Sequence, residues 1–425
     1  NPTAHMNLGG IYKELGNFKE GNNAIRRSFD SKKTTLPLAI QGFEYYDSSN
    51  QKEKLKQAIE SVNKLLGHGN TASAIYNARL LFHKKAYKSS LEALAVIDVK
   101  SSLTSFLKIR YYFFRGLAEE KVGLFEQAFN HFTLAQKDES YRNITPSCSW
   151  ESIKFYTSLA EKMKPISAAC SYPIHSPVFL VGFPRSGTTL LDTVLRSHPS
   201  VEVVEEKDQL VFTEQMAIRE FGKKIEDFAD LDKAQLDRLR REYWERLHSH
   251  VRNPGKIIID KLPLNILKIP LIKILFPNAK VILAIRHPCD SVFSCFQQTF
   301  RPNSSMANFT SLAGSINFYG KVMTAWNKYC ESFPVDQHVI RYEDLIEDFD
   351  GSMAEIMNFL GIEWSESIKD YRNTALKRGG INTPSATQVS QPLYKTSIGK
   401  WKHYERHFEE HLPVLNPWIK QWGYS

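Results

Sequence analysis

The chain has 425 residues, 42% hydrophobic and 24% charged. That excludes intrinsic disorder, collagen and fibrous classes and suggests two or three domains at ~150 residues each. Its net charge of +9, from 55 Lys and Arg against 46 Asp and Glu, is spread without a polybasic arm. Such a surplus fits a solvated basic surface or an anionic ligand, a membrane or nucleic acid, with nucleic acid the weaker option.

No run approaches the ~20 apolar residues that a membrane helix needs. The longest stretches, such as Val281–Ile285, have strand length. The five cysteines, Cys148, Cys170, Cys289, Cys295 and Cys330, form no CxxC pair. A disulfide framework is not expected, which favours a reducing, cytoplasmic location. Residue 1 is Asn, so the numbered chain is expected to be a piece of a longer one. A signal or anchor upstream would be invisible here.

Residues 1 to about 165 read as helical. Apolar residues recur at helical spacing in Leu55–Leu66, Ala72–Phe82, Ser90–Ile97 and Tyr111–Ala135. The opening Leu8-Gly9-Gly10-Ile11-Tyr12, then Leu15-Gly16-Asn17-Phe18, resembles a tetratricopeptide repeat. So does Gly116-Leu117-Ala118 followed by Ala128, Phe132 and Ala135. Gly9 and Gly116 lie about three periods of a ~34-residue repeat apart, while residues 42–59 and 87–97 fit it poorly. Stacked helical hairpins share a core and leave a concave groove. These helices either brace the second domain or present a peptide-binding or homodimer surface.

Lys164-Pro165 and Ser171-Tyr172-Pro173 mark the boundary of a second domain over residues 172–425. There the expected strands are Val178–Val181, Glu202–Val204, Lys256–Ile259, Lys280–Ile285 and His338–Arg341. The expected helices are Thr188–Ser197, Asp232–Val251, Asp290–Thr299, Ile316–Ser332 and Ser352–Leu360. The alternation implies an α/β domain with a P-loop-like parallel sheet flanked by helices.

The first expected strand runs into Gly182-Phe-Pro-Arg-Ser-Gly-Thr-Thr189. A helix start there offers N–H groups and the positive end of its dipole to an anion. Arg185, Ser186, Gly187, Thr188 and Thr189 are the candidate anion ligands. The Gly182-x4-Gly187 spacing matches a P-loop, but Thr188 stands where that loop carries its Lys. This counts against a nucleoside kinase using ATP and Mg²⁺. A second segment, Lys280-Val-Ile-Leu-Ala-Ile-Arg-His-Pro, delivers Arg286 to a strand end, with Ser294 two helical turns further on. Arg at such a place suits bidentate capture of phosphate.

Together the two motifs resemble the sulfotransferases that use 3′-phosphoadenosine 5′-phosphosulfate (PAPS). The likeness spans about residues 175–402. It is closest to the tyrosylprotein branch and to bacterial repeat-fused sulfotransferases. Pro184-Arg-Ser-Gly-Thr-Thr-Leu190 resembles the 5′-phosphosulfate loop, and Arg286 with Ser294 the 3′-phosphate site. The resemblance places a catalytic base on Glu206, a catalytic Lys on Lys261 and a transition-state donor on Ser385, with Arg185 as a further charge stabiliser. It places nucleotide contacts on Tyr342, Gln388, Val389 and Lys400. It implies PAPS as donor, adenosine 3′,5′-bisphosphate as product, no metal, and an acceptor hydroxyl on a peptide or protein, a glycan or a phenol.

Two rivals weigh against the Glu206 assignment: His198, the residue type that cytosolic sulfotransferases use, and Glu205. Strand alternation predicts that Glu205 and Glu206 point apart. The branch's Arg residues that read acidic peptides fall on Asp208 and Phe212, its lumenal cysteines on Val204 and Asp260, and a 3′-phosphate Arg on Gln298, near Arg301. These departures disfavour an acidic peptide acceptor. The rival from another class, a catalytically dead repeat scaffold, predicts losses at Arg185, Lys261, Arg286 or Ser294, and none is lost.

Overall fold

A computed structural model describes residues 1–15, 17–29, 34–67, 70–99, 103–137, 144–163, 176–377, 393 and 395–425. The chain forms two compact units. The first is helical: α1 (Pro2–Glu14), α2 (Phe18–Phe29), α3 (Leu36–Ser48), α4 (Lys52–Leu66), α5 (Thr71–His83), α6 (Tyr87–Ala95), α7 (Ser105–Lys121) and α8 (Phe125–Ala135). The apolar run from Tyr111 to Ala135 breaks at Gly123, whose φ of +83° suits a residue without Cβ. Small residues set the helix crossings. A Cβ on Gly9 would stand 2.4 Å from Ile25 Cδ1, and one on Gly116 would stand 2.8 Å from Phe132 Cε1.

Phe296–Pro302 belongs to this helical unit too. Gln136 Nε2 donates to the carbonyl of Gln298 at 2.9 Å, and Gln297 Nε2 donates to Glu120 at 2.6 Å.

The second unit begins at Thr145. The boundary marks Lys164-Pro165 and Ser171-Tyr172-Pro173 lie outside the described residues. Helix α9 (Ser147–Lys162) buries Ile153, Tyr156, Leu159 and Ala160. Its Trp150 donates to Asn308 at 2.9 Å and its Tyr156 to Glu214 at 2.7 Å, both in the second unit.

Five strands make the sheet of this unit: β1 (Val178–Gly182), β2 (Val201–Glu205), β3 (Ile257–Lys261), β4 (Lys280–Ile285) and β5 (Asp336–Arg341). All pairings are parallel, in the order β2-β3-β1-β4-β5. Sheets of this kind are buried on both faces, hence near-continuous apolar strands. Every residue of β1 is buried. The strands between β1 and one edge are β3 and β2, and those toward the other are β4 and β5, so the order switches direction at β1. Ligands of such sheets bind outside the carboxyl ends at that switch.

Among the described residues, the sheet is flanked by α10 (Thr188–Leu195), α11 (Gln209–Phe221), α12 (Lys233–His248), α13 (Ile269–Leu275), α14 (Pro288–Phe296), α15 (Leu312–Ser332), α16 (Tyr342–Glu347) and α17 (Phe349–Leu360). Helices α10, α12, α14, α15 and α17 follow the sequence reading with shifted ends, and α11, α13 and α16 were not expected. Strand β3 runs two residues further than its apolar run, through Asp260 and Lys261. Both charged side chains are fully buried, which composition alone argues against. Their partners, below, make it tolerable.

Candidate active site

Strand β1 ends in Gly182, where a Cβ would stand 2.3 Å from the Ala284 carbonyl oxygen of β4. The loop then turns through Arg185 at φ +69° to Gly187 at φ +94°, the N-cap of α10. A Cβ on Gly187 would meet the Tyr342 ring at 2.7 Å. A non-glycine residue in the left-handed region is uncommon and costs of order 1–3 kcal/mol, typical of functional loops.

Helix α14 braces this loop. Arg185 Nε donates to Ser294 Oγ at 3.0 Å, and Cys295 Sγ lies 3.3 Å from the Pro184 carbonyl. Burial pushes the Cys295 thiol up. Arg286, at the end of β4, donates through Nη1 to the Arg185 carbonyl at 3.3 Å and through Nη2 to the Ser397 carbonyl. Its guanidinium lies 5.1 Å from the Tyr342 ring centroid. Arg286 Nε is buried and has no partner among the described residues. Asp290 stands 3.8 Å from Arg286 Nη2. It also accepts from the backbone of Gly399 at 2.7 Å and of Trp401 at 2.9 Å. The Tyr342 and Ser397 hydroxyls are 2.9 Å apart. Lys400 Nζ lies 5.9 Å from the Phe293 ring.

At the ends of β2 and β3 a cage of carboxylates surrounds one ammonium. Lys261 Nζ donates to Glu206 at 2.9 Å and to Glu205 at 3.2 Å, and lies 3.8 Å from Asp192 Oδ2. Asp192 comes from α10, the helix that the anion loop opens, and accepts two bonds from Arg196 at 3.0 and 2.8 Å. Burial would lower the Lys261 pKa. Glu205, Glu206 and Asp192 outweigh it and hold the ammonium well above the usual lysine range. Burial raises Asp260 to about 7 despite the bond that it accepts from Tyr243 at 2.7 Å.

The expectation that Glu205 and Glu206 point apart is corrected. Glu206 follows the last residue of β2, and its φ of +48° breaks the alternation. Its N–H still donates to the Lys261 carbonyl at 2.7 Å. Both carboxylates therefore reach the same Nζ. His198 is spent on structure: Nδ1 accepts from Ser200 N at 3.1 Å, which leaves Nε2 to donate to the Glu363 carbonyl at 2.9 Å.

The structure thus brings Arg185, Gly187, Ser294, Arg286 and Tyr342 into one contact set, and Lys261 with Glu206 into another. Thr188 and Thr189 are buried at the start of α10, beside Ser186 in the loop. Ser385, Gln388 and Val389 lie outside the described residues. Gln298 and Arg301 belong to the helical unit, where Arg301 pairs with Glu14 at 3.1 Å in an exposed bridge. Val204 and Asp260 are register partners across β2 and β3. Asp192, Asp290 and Ser397 were missed by sequence reasoning. The i,i+4 spacings Asp192–Arg196 and Arg286–Asp290 were visible signals for two of them.

Residues 177–366 match the family described as the sulfotransferase family. The matched segment carries all five strands of the sheet. The chain is 28% identical over 261 residues to a protein of Aquifex aeolicus (strain VF5), covering 59% of this chain and 33% of that one. Protein-tyrosine sulfotransferase 2 of Gallus gallus is 27% identical over 268 residues, 58% of this chain and 69% of its own length. Protein-tyrosine sulfotransferase 1 of Homo sapiens is 26% identical over 266 residues, with 58% and 69% covered. Among solved structures, the sulfotransferase domain from the curacin biosynthetic pathway is similar at 17% identity and a TM-score of 0.43. It covers 60% of this chain and 99% of its own. The chain thus spans a third of the Aquifex protein and about two thirds of the vertebrate ones.

Proposed function

We propose that the chain moves a sulfuryl group from PAPS to an acceptor hydroxyl on a peptide or protein tyrosine, a glycan or a phenol. The observation that carries this reading is the pair Glu206–Lys261 at neighbouring strand ends, linked through Asp192 to the helix that the anion loop opens. When bound, PAPS supplies the sulfuryl group and leaves as adenosine 3′,5′-bisphosphate. The residues present fit that nucleotide. Arg286 keeps a buried N–H without a partner among the described residues, and the loop is shaped by glycines that no side chain could replace without a clash.

The chain's own residues have separable tasks. Arg185, Ser186, Gly187, Thr188 and Thr189 hold the 5′ end through N–H and hydroxyl donors. Arg286 and Ser294 hold the 3′-phosphate, and Tyr342, Lys400, Gln388 and Val389 border the nucleotide. Glu206 takes the acceptor proton as the acceptor oxygen bonds to sulfur. Lys261, Arg185 and Ser385 meet the charge left on the bridging oxygen as its bond to sulfur breaks. Glu206 is half-exposed while Glu205 is nearly buried, with side-chain exposures of 35% and 10%. The outer carboxylate is the one an acceptor can reach.

The test has two arms. Adenosine bisphosphate should raise the melting temperature and ATP with Mg²⁺ should not, because only a true ligand of the folded state stabilises it. Glu206→Gln should lose ~10²–10⁴ in turnover with donor affinity near wild type, while His198→Asn keeps most activity. Stabilisation by ATP–Mg²⁺ alone would favour a kinase. No transfer to peptides, glycans or phenols, with bisphosphate bound, would favour a dead scaffold. An inactive His198→Asn that still folds would move the base to His198.

A further inference from the structure

We propose that Glu205 is a positioning residue that keeps Lys261 in place and charged while Glu206 exchanges its proton. The proposal rests on the reading of Glu206 as base. Lys261 Nζ is fully buried and has three N–H donors, of which Glu206 and Glu205 take two at 2.9 and 3.2 Å. Glu206, once protonated, no longer offers a negative charge. Asp192 stands at 3.8 Å, beyond hydrogen-bond reach, and its other oxygen carries both bonds from Arg196. Without Glu205, a buried ammonium would face the transfer step with no directly bonded anion among the described residues, a costly arrangement.

Two features fit a division of labour between the adjacent carboxylates. The left-handed φ of Glu206 turns its side chain back toward the ammonium that Glu205 already holds, against the alternation of the strand. The exposures differ in the matching sense, the inner carboxylate anchoring and the outer one facing solvent. The charged groups around Lys261 are Glu205 and Glu206 from the end of β2 and Asp192 with Arg196 from α10. On its own strand stands Asp260, bonded to Tyr243 of α12 and close enough to Asp208 to feel its charge.

The experiment compares wild type, Glu205→Gln and Glu205→Asp. Removing a carboxylate lowers the Lys261 pKa, so the ammonium is lost at lower pH. Glu205→Gln should cut kcat by roughly ten-fold, at the low end of general electrostatic losses, with acceptor KM within about two-fold. The alkaline limb of its pH–rate profile should move toward neutral pH, and Glu205→Asp should move it back. A purely structural role would lower the folded fraction without moving that limb.

A second readout needs no activity. A raised Lys pKa stabilises the fold at low pH, and that stabilisation disappears as pH rises through the folded-state value. Above the free-lysine pKa of ~10.4 the melting temperature of wild type should therefore fall further than that of Glu205→Gln, whose folded-state value lies nearer the free one. Wild-type profiles by both readouts would overturn the proposal. If wild type transfers no sulfuryl group while the melting profile of Glu205→Gln shifts, the ion pairing stands and the reading of the reaction fails. If wild type transfers and Glu205→Gln matches it in kcat and limb, the positioning role fails alone.

Discussion

Removing the Asp290 carboxylate probes how the C-terminal segment completes the donor site. Asp290 is nearly fully buried on α14 and accepts from Gly399 N at 2.7 Å and Trp401 N at 2.9 Å. Asp290→Ala leaves both donors without their acceptor and takes the nearest carboxylate from Arg286, 3.8 Å away. Hydrogen bonds to a charged group are worth about 1.5–3 kcal/mol each, so the two sum to roughly 3–6 kcal/mol. Water reaching the part-buried Gly399 N–H should recover some of this, so about 3 kcal/mol is expected. Asp290→Asn keeps one acceptor oxygen and should lose about half as much. Denaturant unfolding followed by Trp fluorescence measures the loss, fitted to the transition of the sheet-bearing unit, because two units need not unfold together. Calorimetric titration with adenosine bisphosphate gives the second number. The same segment carries Ser397, whose carbonyl accepts from Arg286 and whose hydroxyl meets Tyr342. Donor affinity should therefore fall about ten-fold, a 1.4 kcal/mol change. Wild-type stability would refute the anchoring role. Lost stability with unchanged affinity would refute the claim that residues 395–401 shape the donor site.

Arg286→Ala should weaken adenosine bisphosphate by roughly 1.5–3 kcal/mol, a charged hydrogen bond's worth, and unchanged affinity in calorimetry would remove Arg286 from the 3′-phosphate site. Asp260→Asn tests the buried carboxyl whose pKa is raised to about 7 by burial. A raised carboxyl pKa means that the folded state holds a proton which the unfolded chain has given up, so this contribution favours folding at low pH and is lost as pH rises from about 4 to about 7. The stability of Asp260→Asn relative to wild type should therefore increase across that window, and a pH-independent difference between the two unfolding curves would sink the assignment.

Much of the fold was legible because its elements obey one period at a time. Strands β1, β3 and β4 carry short apolar runs, and many helices carry apolar residues at helical spacing, so pattern located most of the elements. The expected β3 stops at Ile259 because its apolar run ends there, before the charged Asp260 and Lys261. Their burial depends on Tyr243, 17 residues upstream, and on Glu205 and Glu206, more than 50 residues away. No local pattern encodes partners at that distance. Helix α9 likewise takes its setting from distant partners, among them Asn308 and Glu214.

The site divides along the same line. Its anion loop was readable because the demand is local: glycines where a Cβ would strike Ala284 and Tyr342, and hydroxyls at a helix start. The carboxylate cage was half-readable. Alternation is a sound rule inside β2, and it predicted that Glu205 and Glu206 would separate. It fails one residue past the strand, where Glu206 adopts a left-handed backbone that the amino-acid type does not announce. That single dihedral changes the chemistry available. With the carboxylates apart, Lys261 would have one direct counter-ion, and protonating it would strand a buried charge. With both on Nζ, one carboxylate can take up a proton while the other still holds the ammonium. A backbone strain of order 1–3 kcal/mol at Glu206 is thus matched to a specific electrostatic arrangement. Glu206→Gly removes the strain, the base and one of the two bonds to the buried ammonium, so transfer should be lost while Glu205 keeps the ammonium paired and the chain folded, which an activity assay beside a melting curve checks.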